Sequence, residues 1–213
     1  EEFNAPVLSN NIIDKGSASS SQATDEQKRM EGENEIAQKP NEFPLYRGRD
    51  PAEVRPLETV IARLSDEQKN KLYADIRKYG EMVKKSPEYA TGWLQVAILK
   101  KNIGDYEGAA DGWKYVVLTR PNEIVAFQNL GDLYTGSVKN YPEAEKYLRL
   151  AIKTDPKQVR SYLMLSELYG YSYKEKESQA DDVLQEGLAV NPQDIALHKS
   201  LADVYERQGN YAA

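Results

Sequence analysis

Four prolines recur at nearly constant intervals from residue 87 onward. They are separated by 34, 35 and 36 residues: Pro87, Pro121, Pro156 and Pro192. Aligning the sequence on these prolines brings other residue types into register, so the chain contains an internal repeat. A repeat of this length predicts stacked copies of one small unit, in which each copy buries its apolar face against its neighbours.

Large and small side chains hold fixed places within each repeat. A ring stands six residues after each proline, and a small residue follows four positions later. The rings are Trp93, Phe127, Tyr162 and His198, and the small residues are Ala97, Gly131, Ser166 and Ala202. In the second half of each full repeat an alanine precedes a large residue by four positions: Ala109 and Trp113, Ala144 and Leu148, Ala180 and Leu184. Small residues let two helices approach closely and large ones fill the remaining space, so each repeat is predicted to be a pair of helices, A and B.

This arrangement resembles the tetratricopeptide repeat (TPR) family, whose signature is aromatic-x2-Leu-Gly-x2-Tyr, then Ala-x3-aromatic, then Pro, over 34 residues. The resemblance implies an all-α, right-handed superhelical solenoid of helix-turn-helix repeats. Three full copies and the start of a fourth are predicted at about 88–121, 122–156, 157–192 and 193–213. His198 takes the ring position of the fourth copy, where we expect packing rather than catalysis. The surplus residue of the second copy is predicted to lie in the turn between its two helices.

The sequence before the repeats divides into two predicted segments. Residues 1–50 contain the run GSASSS and few large apolar residues, so burial cannot offset chain entropy and a disordered arm or linker is expected. Within it, the apolar islands APVL and FPLY are candidates for docking on the body. Residues 51–86 are predicted to form a helical hairpin, a degenerate or capping repeat, because an apolar helical stripe precedes the capping box SDEQ. The stripe consists of Leu57, Val60, Ile61 and Leu64.

Composition and motifs exclude several classes of function. The chain carries a formal net charge of -6, a pI near 5.1 and no basic stripe, which argues against nucleic-acid binding because phosphate contacts need clustered lysine and arginine. It has no cysteine and a single histidine, and it lacks phosphate-binding glycine loops, GxSxG and HExxH. Neither an enzyme nor a metal or other cofactor is therefore predicted. No apolar run is long enough to predict insertion into a membrane.

The start of the chain leaves its location open. The first residue is Glu1 rather than Met, so we expect a processed or trimmed product, with a tether upstream of residue 1 as one possibility. The sequence is compatible with the cytoplasm and with an extracytoplasmic position anchored through a segment before Glu1. It favours neither.

Partner binding in the TPR family uses the concave face, which helix A of each repeat lines. The resemblance therefore implies a groove formed by the outward positions of helices A: Leu94, Ile98, Lys101, Val125, Gln128, Asn129, Asp132, Arg160, Leu163, Glu167, Lys199 and Asp203. The family's clamp for chaperone C-terminal carboxylates needs basic and amide residues, but Leu94 and Ile98 occupy its first two positions, so we expect a different ligand. An extended peptide or partner helix is expected to lay apolar side chains on Leu94, Ile98 and Val125 and to be held by Asn129.

The predicted function is that of a non-enzymatic adaptor or scaffold that binds protein or peptide partners in this groove. Two alternatives stay open. One is a membrane-tethered structural or assembly component of a cell-envelope complex, and the other is a non-catalytic TPR domain of a larger enzyme. The sequence on either side of this chain would separate them.

Overall fold

The computed structural model describes residues 43–209 of the 213-residue chain, apart from the side chain of Gln208. All regular structure in this range is helical. The α-helices are α1 (Glu58–Ile61), α2 (Asp66–Lys85), α3 (Ala90–Asn102), α4 (Tyr106–Thr119), α5 (Ile124–Asp132), α6 (Tyr141–Thr154), α7 (Val159–Glu167), α8 (Ala180–Val190) and α9 (Ile195–Gln208). A π-helical turn follows α5 (Leu133–Ser137), and a second π-helical turn and a 3-10 segment follow α7 (Leu168–Ser172 and Lys174–Gln179).

Successive helices pair into hairpins and the hairpins stack. Helices α3 and α4 form the first repeat, α5 and α6 the second, α7 and α8 the third, and α9 is helix A of the fourth. Each later helix A also packs on the helix B before it. The chain is therefore an all-α TPR solenoid, which confirms the fold class predicted from the sequence.

The repeat positions form the core of the stack. Trp93 and Trp113 are 2% and 1% exposed, and Ala97 is completely buried. Gly131 stands where helices A and B of the second repeat cross, and a Cβ added there would lie 2.6 Å from the side chain of Leu148. Small and large residues thus serve the packing roles that their periodic placement predicts.

The ring position of three repeats also fastens helix A to the preceding turn. In each case the side chain forms a hydrogen bond with the carbonyl of the proline six residues earlier: Trp93 Nε1 to Pro87 (2.9 Å), Tyr162 Oη to Pro156 (3.0 Å) and His198 Nε2 to Pro192 (2.9 Å). Because a carbonyl only accepts, Nε2 of His198 carries the proton. His198 is exposed, so it keeps the hydrogen bond of its position but not the burial that we expected.

The second repeat has one surplus residue and the third has two, and a π-helical turn accommodates one of them in each repeat. Instead of a looser loop after helix A, the helix continues with i to i−5 hydrogen bonds, from Val138 N to Leu133 O (3.0 Å) and from Tyr173 N to Leu168 O (2.7 Å). A π-helical turn absorbs one extra residue without ending the helix. The first repeat has no surplus residue. Its helix A ends at Asn102 and is followed by Gly104 with φ of 84°, the left-handed conformation that glycine adopts easily.

The structure differs from the predicted N-terminal hairpin. Its first helix, α1, is a single turn, so the stripe from Leu57 to Leu64 does not lie on a helical face of useful length. Leu57 N, at the start of α1, donates to the carbonyl of Ile103 at 2.8 Å and ties this point of the chain to the first repeat. Ser65 then starts α2 afresh, with the capping box that the sequence predicts: Gln68 N donates to Ser65 Oγ (3.2 Å) and Ser65 N to Gln68 Oε1 (2.9 Å).

Residues 43–57, here called the strap, run along the first repeat. The ring of Tyr46 lies 4.4 Å from that of Trp93 and 5.2 Å from that of Tyr115, measured between centroids. Tyr115 Oη donates to the carbonyl of Pro44 at 2.7 Å, and Arg49 is paired with Asp111 at 3.2 Å. Residues 43–50 therefore pack on the body, although the sequence assigns them to the arm. The island FPLY docks as proposed, and the island APVL lies outside the described residues.

Lys100 holds the centre of the strap. The other repeats carry a tyrosine 13 residues after the proline, at 134, 169 and 205, and the first repeat carries Lys100. In the third repeat this position reaches the preceding helix B, since Tyr169 Oη donates to Glu145 at 2.7 Å. In the first repeat Lys100 Nζ donates to the carbonyl of Glu53 (2.7 Å) and to Asp105 (2.8 Å), with its side chain 2% exposed. The strap thus packs on the first repeat at the position where, in the third repeat, the preceding helix B packs.

Candidate functional site

The candidate groove is the surface that helices α3, α5, α7 and α9 present on their outward positions. Its two ends differ in polarity. At the first and second repeats, Ile98 and Val125 are 37% and 46% exposed. Leu94 is half-buried between the two core clusters and adds less free surface than the sequence suggests. The apolar part of the groove therefore consists chiefly of Ile98 and Val125.

Polar residues in the middle of the groove connect neighbouring helices A. Lys101 on α3 forms an ion pair with Asp132 on α5. Gln128, which the sequence places in the groove, is 7% exposed and donates to Ser161 Oγ at 3.0 Å. It fastens α5 to α7 and is not available to a partner. The sequence pattern does not predict hydrogen bonds between neighbouring repeats. It indicates on which face of a helix a residue lies, but not how close that residue is to the next repeat.

Asn129 is partly buried, and its Nδ2 atom has no hydrogen-bond acceptor within the described residues. A buried amide donor without an acceptor costs free energy, roughly 1 to 3 kcal/mol by comparison with other buried polar groups. The predicted role of Asn129 as an anchor for a partner stays a prediction.

A recess of about 340 Å³ lies between the second and third repeats. It is lined by Asp132, Thr135, Leu148, Arg160, Met164, Glu167, Leu168, Tyr171 and Ser172. The structure thus brings three predicted groove residues together, Asp132, Arg160 and Glu167. Neither Arg160 nor Glu167 has an ion-pair partner within residues 43–209, so both charges face solvent unpaired.

Other predicted groove residues lie away from the recess. Leu163 is partly buried and packs against the core of the later repeats. Lys199 and Asp203 are exposed on α9 and belong to the fourth repeat. The predicted groove is therefore a row of separate surfaces, and the recess is one of them.

The groove residues predicted from the sequence do not include Thr135, Tyr171 and Ser172, although the segment GYSY (170–173) in the lengthened part of the third repeat stands out as either a contact site or a mere insertion. All three lie in the π-helical turns, where the register of helix A changes. Tyr171 is 62% exposed, and the guanidinium of Arg207 covers its ring at 4.3 Å from the centroid. The extra length of the second and third repeats indicates that the chain after helix A differs from the first repeat. Length alone does not predict which side chains face the recess.

A second polar cluster, on the edge formed by α6 and the 3-10 segment, is structural. Lys176 Nζ donates to Glu145 Oε2 at 2.6 Å, and its ammonium lies 5.5 Å from the ring centroid of Tyr169. Partial burial raises the pKa of Glu145, but the hydrogen bonds from Lys176 and Tyr169 outweigh it and hold the pKa below its ordinary value. Burial, followed by the nearby Glu145, raises the pKa of Tyr169. These groups pin the 3-10 segment to the stack.

Residues 43–209 contain no group of three or more His, Asp or Glu side chains placed to hold a metal ion. Within the same range, no helix combines the length and the apolar character needed to cross a membrane.

Repeat register, helical hairpins and stacking together make this chain a TPR-fold protein. Among solved structures it is similar to a crystal structure of MamA, with 21% identity, a TM-score of 0.54 and coverage of 69% of this chain and 85% of the other. It is also similar to residues 41 to the end of MamA from Desulfovibrio magneticus RS-1, with 23% identity, a TM-score of 0.52 and coverage of 72% and 82%. At these identities the likeness establishes the fold alone.

A further structure, the thermophilic TPR protein TTC0263 from Thermus thermophilus, superposes with a TM-score of 0.48 at 17% identity and covers 72% of this chain and 84% of its own. No protein-family model matches the sequence, and no curated protein matches it. Function therefore has to be inferred from the groove itself.

Proposed function

We propose that this protein is a non-enzymatic scaffold that binds a protein partner through an extended segment laid along the groove of α3, α5, α7 and α9. The observation that carries the proposal is the recess between the second and third repeats, where unpaired Arg160 and Glu167 share one surface. The similarity to MamA structures supports the fold on which this groove depends.

The groove is built on a rigid support. The helix faces opposite the recess are closed by fully buried residues such as Leu130, Leu165 and Leu184. A partner therefore meets side chains whose backbone is already fixed, so little ordering entropy is lost on binding. Exposed Ile98 and Val125 offer apolar contacts at the other end of the same surface. We expect an affinity in the micromolar class, about -8 kcal/mol.

Site-directed crosslinking tests this proposal. Because the chain has no cysteine, Met164→Cys creates a single attachment point in the recess for a photoactivatable maleimide. Lys153→Cys, on the exposed face of helix B of the second repeat, is the matched control. Peptides selected from a random display library on the full chain are expected to crosslink at position 164 and not at 153. Crosslinking at both positions alike, or only at 153, would refute binding in the groove.

Charge reversal gives a second readout. We expect Arg160→Glu to weaken the selected peptides by about fivefold to tenfold, a loss of about 1 to 1.4 kcal/mol, without lowering the melting temperature, because the side chain is exposed and forms no ion pair within the described residues. Lys153→Glu is expected to leave both quantities unchanged. Calorimetric titration and thermal melts of the two variants measure these effects.

A further inference from the structure

The π-helical turns build the recess. Thr135 comes from the turn after α5, and Leu168, Tyr171 and Ser172 come from the turn after α7. A π-helical turn contains about one residue more than an α-helical turn, so its side chains point in other directions than they would in a continuous α-helix. The two turns therefore place Thr135, Tyr171 and Ser172 beside the gap between the repeats, with Thr135 Oγ1 donating to the carbonyl of Gly131 at 2.8 Å.

The recess is bipolar along its length. Arg160, Met164 and Glu167 fall at i, i+4 and i+7 on one face of α7, so opposite charges stand roughly 10 Å apart with an apolar side chain between them. Arg160 lies in the first turn of the helix and Glu167 at its end, where the helix dipole favours a cation. Asp132 faces the same end from α5.

The cations that border this end are already engaged. Lys101 is paired with Asp132, and Arg207 lies over the ring of Tyr171 and donates to the carbonyl of Gly170 at 3.3 Å. Glu167 has no such partner in the described part of the chain. The end of the recess that Glu167 and Asp132 share therefore favours one more positive charge.

The floor of the recess is apolar. Met164 is the partly exposed apolar residue of its lining, whereas Leu148 and Leu168 border it but are completely buried; Thr135 and Ser172 add hydroxyl groups to the lining. A long basic side chain matches this division, because its methylene stem packs on apolar surface while its charged head stays among polar groups. The volume of about 340 Å³ is at the lower end of the range for ligand pockets, about 300 to 1,000 Å³.

We propose that this recess takes an arginine side chain of the partner segment, with the guanidinium at Glu167 and Asp132 and the stem on Met164. Arginine fits better than lysine because its planar fork can donate to two carboxylates and two hydroxyls at once. The surplus residues of the second and third repeats then determine specificity. This inference rests on the proposed function.

Citrulline, the neutral isostere of arginine, tests it. Each selected peptide that crosslinks at position 164 is synthesised with arginine and with citrulline at the same place. We expect the citrulline peptide to bind the full chain about tenfold more weakly, and Glu167→Gln to reduce this difference to about twofold. Equal binding of the two peptides overturns the arginine assignment while leaving the groove intact, whereas absence of crosslinking at 164 overturns the proposed function.

Removal of a surplus residue tests the role of the π-helical turn. Gly136 is exposed and has open space around it, so its deletion restores a repeat of 34 residues without removing a packed side chain. We expect wild-type helical content by circular dichroism and a tenfold loss of affinity for the arginine peptide. Unchanged affinity overturns the assignment of specificity to the turn. If the deletion variant does not fold, the Glu167→Gln comparison decides.

Discussion

Lys100 is expected to be the most sensitive charged residue of the first repeat. Its ammonium group is buried with the carboxylate of Asp105, their side chains being 2% and 5% exposed, and it also donates to the strap carbonyl of Glu53. Lys100→Met keeps the length of the side chain but leaves the carboxylate of Asp105 buried without its counter-charge. Removing one partner of a buried ion pair costs about 3 to 5 kcal/mol, because the remaining charge is uncompensated.

A double-mutant cycle separates the charge from the packing. Asp105 also caps α4 by accepting from Gly108 N at 3.0 Å, and asparagine caps a helix as well as aspartate does. Asp105→Asn in the Lys100→Met background therefore removes the stranded charge and retains the cap. We expect the double variant to be about 1 to 2 kcal/mol more stable than Lys100→Met alone.

Urea unfolding at neutral pH measures the free energies, with far-ultraviolet circular dichroism for the whole stack and tryptophan fluorescence for the environments of Trp93 and Trp113. Lys101→Met is the matched control, because its ion pair with Asp132 lies at the surface and is worth about 0 to 1 kcal/mol. A loss below about 1 kcal/mol for Lys100→Met, or a double variant no more stable than the single one, would refute the account of Lys100 as a buried anchor.

Three further predictions address the rest of the stack. Trp113→Ala should lower the free energy of unfolding by about 3 to 5 kcal/mol, because it leaves a cavity in place of a side chain that is 1% exposed. Leu118→Ala, on the exposed face of the same helix, should change this free energy by less than about 0.5 kcal/mol. Equal melting temperatures for the two variants would contradict the role of Trp113 in the core. Deleting residues 1–40 should leave the melting temperature unchanged, because this segment has few large apolar residues to bury. Deleting residues 1–57 removes the strap contacts to Trp93 and Lys100 and should lower the melting temperature by roughly 10 °C. A large decrease with the shorter deletion would show that residues before the strap contribute to stability. The pKa of Glu145 is lowered in the folded protein, so the stabilisation from its charge is fully present above the ordinary value of 4.5 and is lost as pH falls through the lowered pKa. The advantage of the wild type over Glu145→Gln in thermal melts should therefore be present at about pH 7 and decrease as pH falls below 4.5, and an advantage independent of pH would contradict the role of its charge.

Residues that repeat are the ones the sequence places correctly. Trp93, Trp113 and Gly131 recur at fixed offsets from a proline, and each is buried where its offset predicts. The capping box at Ser65 is equally local, because its hydrogen bonds join residues three apart. Such features depend on residues close in the sequence or on one neighbouring repeat of similar sequence, so the local pattern is enough to predict them.

The sequence pattern predicts the wrong surroundings for residues whose contacts lie far away along the chain. Gln128 has an outward position on its helix, but it is buried because Ser161 of the next repeat stands within hydrogen-bond distance. The strap was assigned partly to an arm because its few apolar residues show no period, yet Tyr46 finds two rings already placed by the first repeat. His198 has the ring position and its hydrogen bond but not its burial.

The sequence by itself determined the all-α repeat, its register and the faces of its helices, because each repeat sees almost the same neighbours and one pattern serves them all. Only the tertiary structure decided how the surplus residues are accommodated and what they expose. The same number of extra residues can form either a π-helical turn or a longer loop, so the length of the repeat does not distinguish them. They differ in whether the backbone hydrogen bonds of helix A continue through the extra residues. That choice brings Tyr171 and Ser172 beside Glu167 and forms the recess on which the proposed function rests.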